Sequence, residues 1–398
     1  MIERSNHLVD LIEFALHGTQ EKIDIATSEL QEAYQQFDTI NDFLNIAQNC
    51  EESIVRQFAA ISIRRMLIIH DLDQEQIELI KVALLSLIEN DPILQNKKAF
   101  FEAAIFLQSK LYNPWEELYN MAHNLLSDNE SLNLGLQVWV SITKITPEII
   151  LLHYFEDLMN CIIATFELQN VDIIINSINL FSELTNVVDV GLFEPYGNLP
   201  QLLYDESTAA VKDRPNIKEA SVIFQCICDQ LTKENPIESF ISEAEAFIDL
   251  ALQLTVSDLD PEILSTCQPL MIIAPQFAPE NVESQLPIFL QSELSLAVQL
   301  TSADREYTLC DIEFLKDFIL SLVINIESSS GVVQGLLTFA TNSISSDDPV
   351  SLQVALIAMS SITGEASEDF FEAEGENIGD IVLFSLTSAE DHFIFDAC

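Results

Sequence analysis

Glycine and proline are scarce, with nine and thirteen among 398 residues. So few turn formers exclude a loop-rich β-protein, and a hydrophobic content of 48% excludes a disordered chain. No apolar run reaches the roughly 18 residues of a membrane-spanning helix, so no membrane partner is expected. Met1-Ile-Glu-Arg-Ser-Asn-His leads into no apolar stretch, and secretion is not expected. Cysteine lacks pattern. Of Cys50, Cys161, Cys226, Cys228, Cys267, Cys310 and Cys398, only Cys226-Ile-Cys228 lie close, at a spacing that fits neither a zinc knuckle nor a redox pair. Scattered, odd-numbered thiols are expected to be reduced, in an intracellular compartment.

The motifs of catalysis are missing too. His7, His17, His70, His123, His153 and His392 lie far apart without metal-ligand spacing. There is no Gly-rich phosphate loop, no G-x-S-x-G elbow and no H-E-x-x-H. No catalytic residue, metal or cofactor is expected, and the chain is not expected to be an enzyme.

Positive charge is the scarcest commodity. Sixteen Lys and Arg face 64 Asp and Glu, a formal net charge of −48. Nine of the sixteen lie before Leu111, and stretches 145–211, 234–304 and 317–398 hold none. Nucleic acid is thereby excluded as an expected partner, since phosphate binding requires cations. The remaining alternatives are a merely solvated acidic surface and an anionic surface that steers basic partners toward it.

What is abundant is helical periodicity. In 22–37, Ile23, Ala26, Leu30, Ala33 and Phe37 recur at steps of three and four, one stripe on a helix. Gly18 and Thr19 before it read as the stop of a helix over 7–17 and the N-cap of the next. In 52–69 the stripe is Ile54, Phe58, Ile61 and Ile68; in 131–144 it is Leu132, Leu136, Trp139 and Thr143; in 171–185 it is Ile174, Ile178 and Phe181. Segments 38–48, 73–89, 94–111 and 114–127 complete the early pairs. Prolines open the later helices 147–166, 236–254, 261–273 and 349–363, as suits a first turn. The stretch 268–287, with four prolines, resists assignment. Segment 365–376 is strongly acidic and reads as an exposed loop.

Pair starts near 7, 38, 73, 114, 147, 187, 236, 280, 328 and 370 predict an all-α fold: a right-handed superhelical α-solenoid of about ten HEAT-like helix pairs. Such pairs cannot bury their stripes alone, so neighbours stack and leave a concave face of second helices.

The run Glu51-Glu-Ser-Ile-Val-Arg-Gln-Phe-Ala-Ala-Ile-Ser-Ile-Arg-Arg-Met-Leu resembles the signature of the importin-β amino-terminal domain. Gly18 to Ala33 is similar to that family's first repeat, and 72–87 with Asn113-Pro-Trp-Glu-Glu-Leu to its third and the start of its fourth. Farther on, the run from Leu352 to Glu365 is similar to a HEAT helix ending in a Gly/Glu pair, and Asp391 to Cys398 to the opening of the next second helix. This pattern is nearest the branch that imports ribosomal proteins and histones without an adaptor. The resemblance implies an importin-β amino-terminal domain over 1–110, further repeats over 111–398, and a chain that is an amino-terminal fragment of a longer receptor.

The resemblance also implies Ran-GTP docking at Arg56, Gln57, Arg64 and Arg65, release of basic cargo, contacts with phenylalanine-glycine nucleoporins, and shuttling of a monomer between cytoplasm and nucleus. For Arg56 the plainer reading is a brace between repeats; Arg64 and Arg65 stand between solvent and partner. Trp115 and Trp139 read as packing residues. Glu156, Asp157, Glu183, Asp249 and Glu262 are candidates for an acidic concave face holding basic cargo, against a merely solvated role for each. A HEAT scaffold or regulatory subunit unrelated to nuclear transport remains the alternative.

Overall fold

The computed structural model describes residues 2–257, 259–303, 313–326, 329–346 and 349–362. Eighteen long helices form nine consecutive pairs among these residues, interrupted by short helices and turns. The first helices of the pairs begin at Ile2, Thr39, Gln74, Glu116, Phe155, Leu199, Ala244, Leu286 and Ser329, steps of 35 to 45 residues. This is the all-α, HEAT-like solenoid that the periodicity predicts. The expected tenth pair, the acidic loop over 365–376, the Gly364-Glu365 end and the helix opening at Asp391 lie outside the described residues.

The chain divides into two compact units, Met1–Val188 and Asp189–Cys398. In the first, α1 (Ile2–His17) packs on α2 (Gln20–Tyr34), α3 (Thr39–Asn49) on α4 (Ser53–Ile69), and α5 (Gln74–Asn90) on α6 (Leu94–Ser109). Then α7 (Glu116–Asn124) packs on α8 (Leu132–Thr143) and α9 (Phe155–Thr165) on α10 (Val171–Val187). Second helices α4, α6, α8 and α10 touch one another in sequence, which joins the pairs into one row.

Local chemistry sets the ends. Gly18 N–H donates to Phe14 O at 2.9 Å, and a Cβ there would lie 2.4 Å from that oxygen, so the turn between α1 and α2 requires glycine. Thr19 precedes α2 as expected, yet its side chain makes no capping hydrogen bond. At the start of α5 a capping box forms: the Asp73 carboxylate accepts from Gln76 N–H at 2.9 Å while the Gln76 side chain accepts from Asp73 N–H at 3.0 Å. Asn170 caps α10 through Ile173 N–H at 3.3 Å.

Trp115 and Trp139 are fully buried, at 1% and 0% exposure, as the stripes predict. The expected single helix over 147–166 is broken into Glu148–Leu151 and α9. Turns at His153 and Tyr154 interrupt it and bring the Tyr154 ring to 5.1 Å from Trp139 and 5.6 Å from His123. Tertiary aromatic packing overrides helical continuity there.

In the second unit, α11 (Leu199–Thr208) pairs with α12 (Ile217–Thr232), and α13 (Ala244–Thr255) with α14 (Gln268–Phe277). After these, α15 (Leu286–Ala303) pairs with α16 (Glu313–Asn325), and α17 (Ser329–Ser346) with α18 (Pro349–Ile362). The expected helices over 236–254 and 261–273 are each split. Glu243 interrupts the first. In the second, Thr266 Oγ1 and Cys267 Sγ donate to carbonyls three residues back, Ile263 O at 2.6 Å and Leu264 O at 2.9 Å, where the helix stops. The proline-rich stretch resolves into helix openings: Pro269, Pro279 and Pro287 lie at or next to first helical positions, and α14 continues through Pro275.

Candidate partner-docking face

Side chains that the row α4, α6, α8 and α10 leaves uncovered share one face. On α4 these are Ile54, Gln57, Phe58, Ile61, Arg64, Arg65 and Ile68, recurring at helical spacing. The sequence stripe Ile54, Phe58, Ile61 and Ile68 is therefore real, but it is turned outward: Ile54, Ile61 and Ile68 are 44%, 54% and 57% exposed. Burial falls to Val55, Ala59, Ala60, Ile63, Met66 and Leu67. The small alanines let α3 and α6 approach closely, which a face of isoleucines would prevent.

Arg64 and Arg65 extend from the exposed end of this face. Arg64 Nη1 reaches Glu102 Oε2 of α6 at 3.1 Å, an exposed pair. The Arg65 guanidinium sits 4.9 Å above the Tyr34 ring of α2. Gln57 is half-buried. One turn before Glu102, Lys98 adds a second cation to the same side of α6. The row then turns polar: Asn176 Nδ2 of α10 donates to Asn133 Oδ1 of α8 at 2.7 Å, and Lys144 Nζ lies 3.0 Å from Glu183 Oε1.

Arg56 occupies a different environment from Arg64 and Arg65. It is 9% exposed and points between repeats. Its Nε donates to Asp91 Oδ2 at 2.8 Å, and Nη1 donates to Cys50 O at 2.9 Å and Glu51 O at 2.8 Å. Asp91 also accepts from Ile93 N–H at 2.9 Å and from Asn96 Nδ2 at 3.2 Å. Burial alone would raise the Asp91 carboxyl, but the bonds from Arg56, Ile93 and Asn96 outweigh it and hold the group below the ordinary carboxylate range. Arg56 thus ties the end of α3 and the start of α4 to the loop between α5 and α6. A cleft of about 430 Å³ opens beside it, lined by Gln48, Asn49, Ser86, Asn90 and Asp91 among others.

The five acidic candidates divide between the two units, Glu156, Asp157 and Glu183 in the first and Asp249 and Glu262 in the second. Glu156 and Asp157 are exposed on the first helix α9, with Asp157 Oδ2 3.4 Å from His123 Nε2 of α7. Asp249 is half-buried on the first helix α13 and accepts from Asn281 at 3.0 Å. Glu262 is exposed in the short helix Pro261–Ser265 that leads to α14. Only Glu183 lies on a second helix, and it is paired with Lys144. Helix-start electrostatics accounts for part of this: Glu156, Asp157 and Glu262 occupy first turns, where the helix dipole favours a negative charge. Sequence reasoning passed over the outward isoleucines, Lys98, Asp91 and the Asn133–Asn176 pair. Of these, only the period of the isoleucine stripe was legible; its outward direction was not.

No family model matches the chain, and no curated protein does. Solved structures do match. Kap121p bound to RanGTP superimposes over 100% of this chain and 40% of its own length, with a TM-score of 0.65 and 14% identity. The fold is a HEAT-like solenoid similar to that of these karyopherin structures. Kap121p bound to Nup53p matches with the same coverage, TM-score and identity. The karyopherin Kap121p bound to the SUMO protease Ulp1p does so at 13% identity. This chain therefore spans about two fifths of the length of the karyopherin structures it matches.

Proposed function

We propose that the chain is a nuclear import receptor of the importin-β type, with Ran-GTP docking on the second helices of its first repeats. The observation that carries this reading is the correspondence of this chain, over its whole length, to two fifths of Kap121p, one of whose structures is bound to RanGTP. Arg64, Arg65 and Gln57 are the contact residues, since they project from or border the uncovered face of α4. Arg56 contributes indirectly, by fixing the angle between the second and third repeats through Asp91.

Basic cargo, of the ribosomal-protein or histone kind, is drawn by the field of a chain with net charge −48. Glu183 is the one acidic candidate positioned on the second-helix row; Glu156, Asp157, Asp249 and Glu262 act on cargo only through that long-range field. Phenylalanine-glycine nucleoporins engage first helices, where Leu79 and Val82 of α5 are 65% and 68% exposed. Ran and cargo weaken each other's binding by one common factor, which releases cargo in the nucleus and lets the receptor shuttle back to the cytoplasm.

The test is a pull-down of the purified chain with Ran loaded with GTP or GDP. Retention of the GTP form alone supports the reading, and loss of that retention in Arg64→Glu/Arg65→Glu assigns it to α4. The second reading is a HEAT scaffold unrelated to nuclear transport. It is favoured by the 14% identity, which carries a fold and not a partner. Failure of both nucleotide forms to bind selects it.

A further inference from the structure

Within the second to fourth repeats charge is sorted between first and second helices, whereas α2 before them and α10 after them carry mainly acids. Second helices α4, α6 and α8 together hold five cations, Arg56, Arg64, Arg65, Lys97 and Lys98, and a single acid, Glu102. Lys110 and Lys144 follow directly at the ends of α6 and α8. The whole chain carries four acids for every base. First helices of the same repeats show the ordinary bias: α5 has Glu75, Glu78 and Glu89 against Lys81, and α7 has Glu116 and Glu117 with no Lys or Arg.

Some of these cations are committed inside the protein. Arg56 is held by Asp91, Lys97 Nζ donates to Glu89 O at 3.3 Å, and Lys110 Nζ bonds Leu67 O at the end of α4. The ones left at the surface are Arg64, Arg65 and Lys98. Arg64 is tethered only by an exposed pair with Glu102, an interaction that competes weakly with any better partner. Arg64 and Arg65 lie within a turn of the outward isoleucines Ile61 and Ile68 on α4, and Lys98 lies on the adjacent α6, one turn before Glu102.

We propose that the second helices of the second and third repeats, α4 and α6, dock an acidic protein segment that carries a large apolar anchor. The anchor covers Ile61 and Ile68, and the flanking carboxylates pair with Arg64, Arg65 and Lys98. Two features favour a protein over a nucleic acid. A polyanion without apolar groups leaves the isoleucines uncovered, and the −48 field repels extended phosphate chains while a short acidic segment meets mainly its local cations within a Debye length. The same sorting excludes basic cargo from this face and confines it to other surfaces of the chain. This inference deepens the proposed function: it rests on the reading that the second helices of the first repeats are a docking face, and names the chemistry of what docks.

The test uses the full chain and three fluorescent probes: a short peptide alternating Leu with Asp and Glu, the same peptide with Lys for every acid, and a short DNA duplex. The acidic peptide is expected to bind, to weaken as salt rises, and to lose about tenfold or more in affinity in Arg64→Glu/Arg65→Glu/Lys98→Glu. Ile61→Asp is expected to weaken it by a similar factor, while Lys81→Glu on α5 leaves it unchanged. All five positions are at least part-exposed, and unaltered circular dichroism and thermal midpoint separate lost binding from lost folding. Equal or tighter binding of the duplex overturns the proposal, as does an acidic peptide indifferent to the triple reversal; the basic peptide is expected to bind elsewhere on the acidic chain, and its displacement of the acidic peptide from α4 by a shared site would overturn it too. A chain that retains Ran-GTP in the pull-down yet ignores the acidic peptide sinks this inference alone. A chain that binds the peptide but no form of Ran sinks the transport reading alone.

Discussion

Arg56 and Asp91 leave water together, 2.8 Å apart and nearly sealed. Removing one partner strands the other, so Arg56→Met or Asp91→Leu alone is expected to cost about 3–5 kcal/mol, whereas the double replacement is expected to cost far less. Urea titration of the four proteins checks this, and a double variant as damaged as either single one would contradict it. The depressed Asp91 carboxyl sets the pH sense: its stabilisation is present above the ordinary carboxylate range and is lost as pH falls through the lowered value. Glu293 on α15 has the opposite sign. Complete burial pushes its carboxyl up to about 7, only partly offset by Gln268 and Thr255. The folded chain then keeps a proton that the unfolded chain releases, so stability falls as pH rises from the ordinary carboxylate value through about 7. Glu293→Gln is expected to match the parent near pH 5 and to exceed it by about 3 kcal/mol near pH 8 in urea unfolding. An identical pH profile for the two proteins would rule this out.

At the scale of single helices, α8 and α4 show what periodicity does and does not determine. In α8 the large residues Leu132, Leu136 and Trp139 define one stripe, and the structure buries it. Trp139→Ala is expected to cost about 3–5 kcal/mol, and Trp139→Phe much less, since the Trp139 Nε1 is buried without a hydrogen-bond partner. In α4 apolar residues fall on more than one side of the helix, so the stripe of isoleucines fixes a period without fixing its direction. Ile61→Ser is accordingly expected to change stability by no more than about 0.5 kcal/mol, as at an exposed site. Thermal unfolding of the three variants distinguishes the cases, and a severe loss in Ile61→Ser would place that residue in a core. Proline-opened helices were legible at their starts and not in their interiors. Nothing in 147–166 marks the turn at Tyr154, because the force that makes it is the Trp139 ring of another helix. Likewise Asp91 looks like one acid among 64 until its loop meets Arg56.

For the whole molecule, the net charge of −48 is plain from composition, and which cations stay at the surface is not. That depends on which face of each helix is covered, a property of the stack. The total charge has a direct consequence for stability: self-repulsion is screened by salt, so the thermal midpoint is expected to rise between low and physiological ionic strength. A midpoint that is flat or falls over that range would mean that the ion pairs at Arg56, Arg64 and Lys144 outweigh the repulsion. The pair repeat and solenoid class were legible because every repeat restates them. The docking residues were legible only in part: Arg64 and Arg65 from the resemblance at 51–67, and neither Lys98 nor the outward stripe. The proposed docking of Ran-GTP on α4 and its neighbours is decided by the equilibrium affinity of the full chain for Ran-GTP and Ran-GDP, with and without Arg64→Glu/Arg65→Glu. Tight binding of the GTP form alone is expected, weakened at least tenfold by the double reversal; equal affinity for both forms, or none for either, overturns the docking.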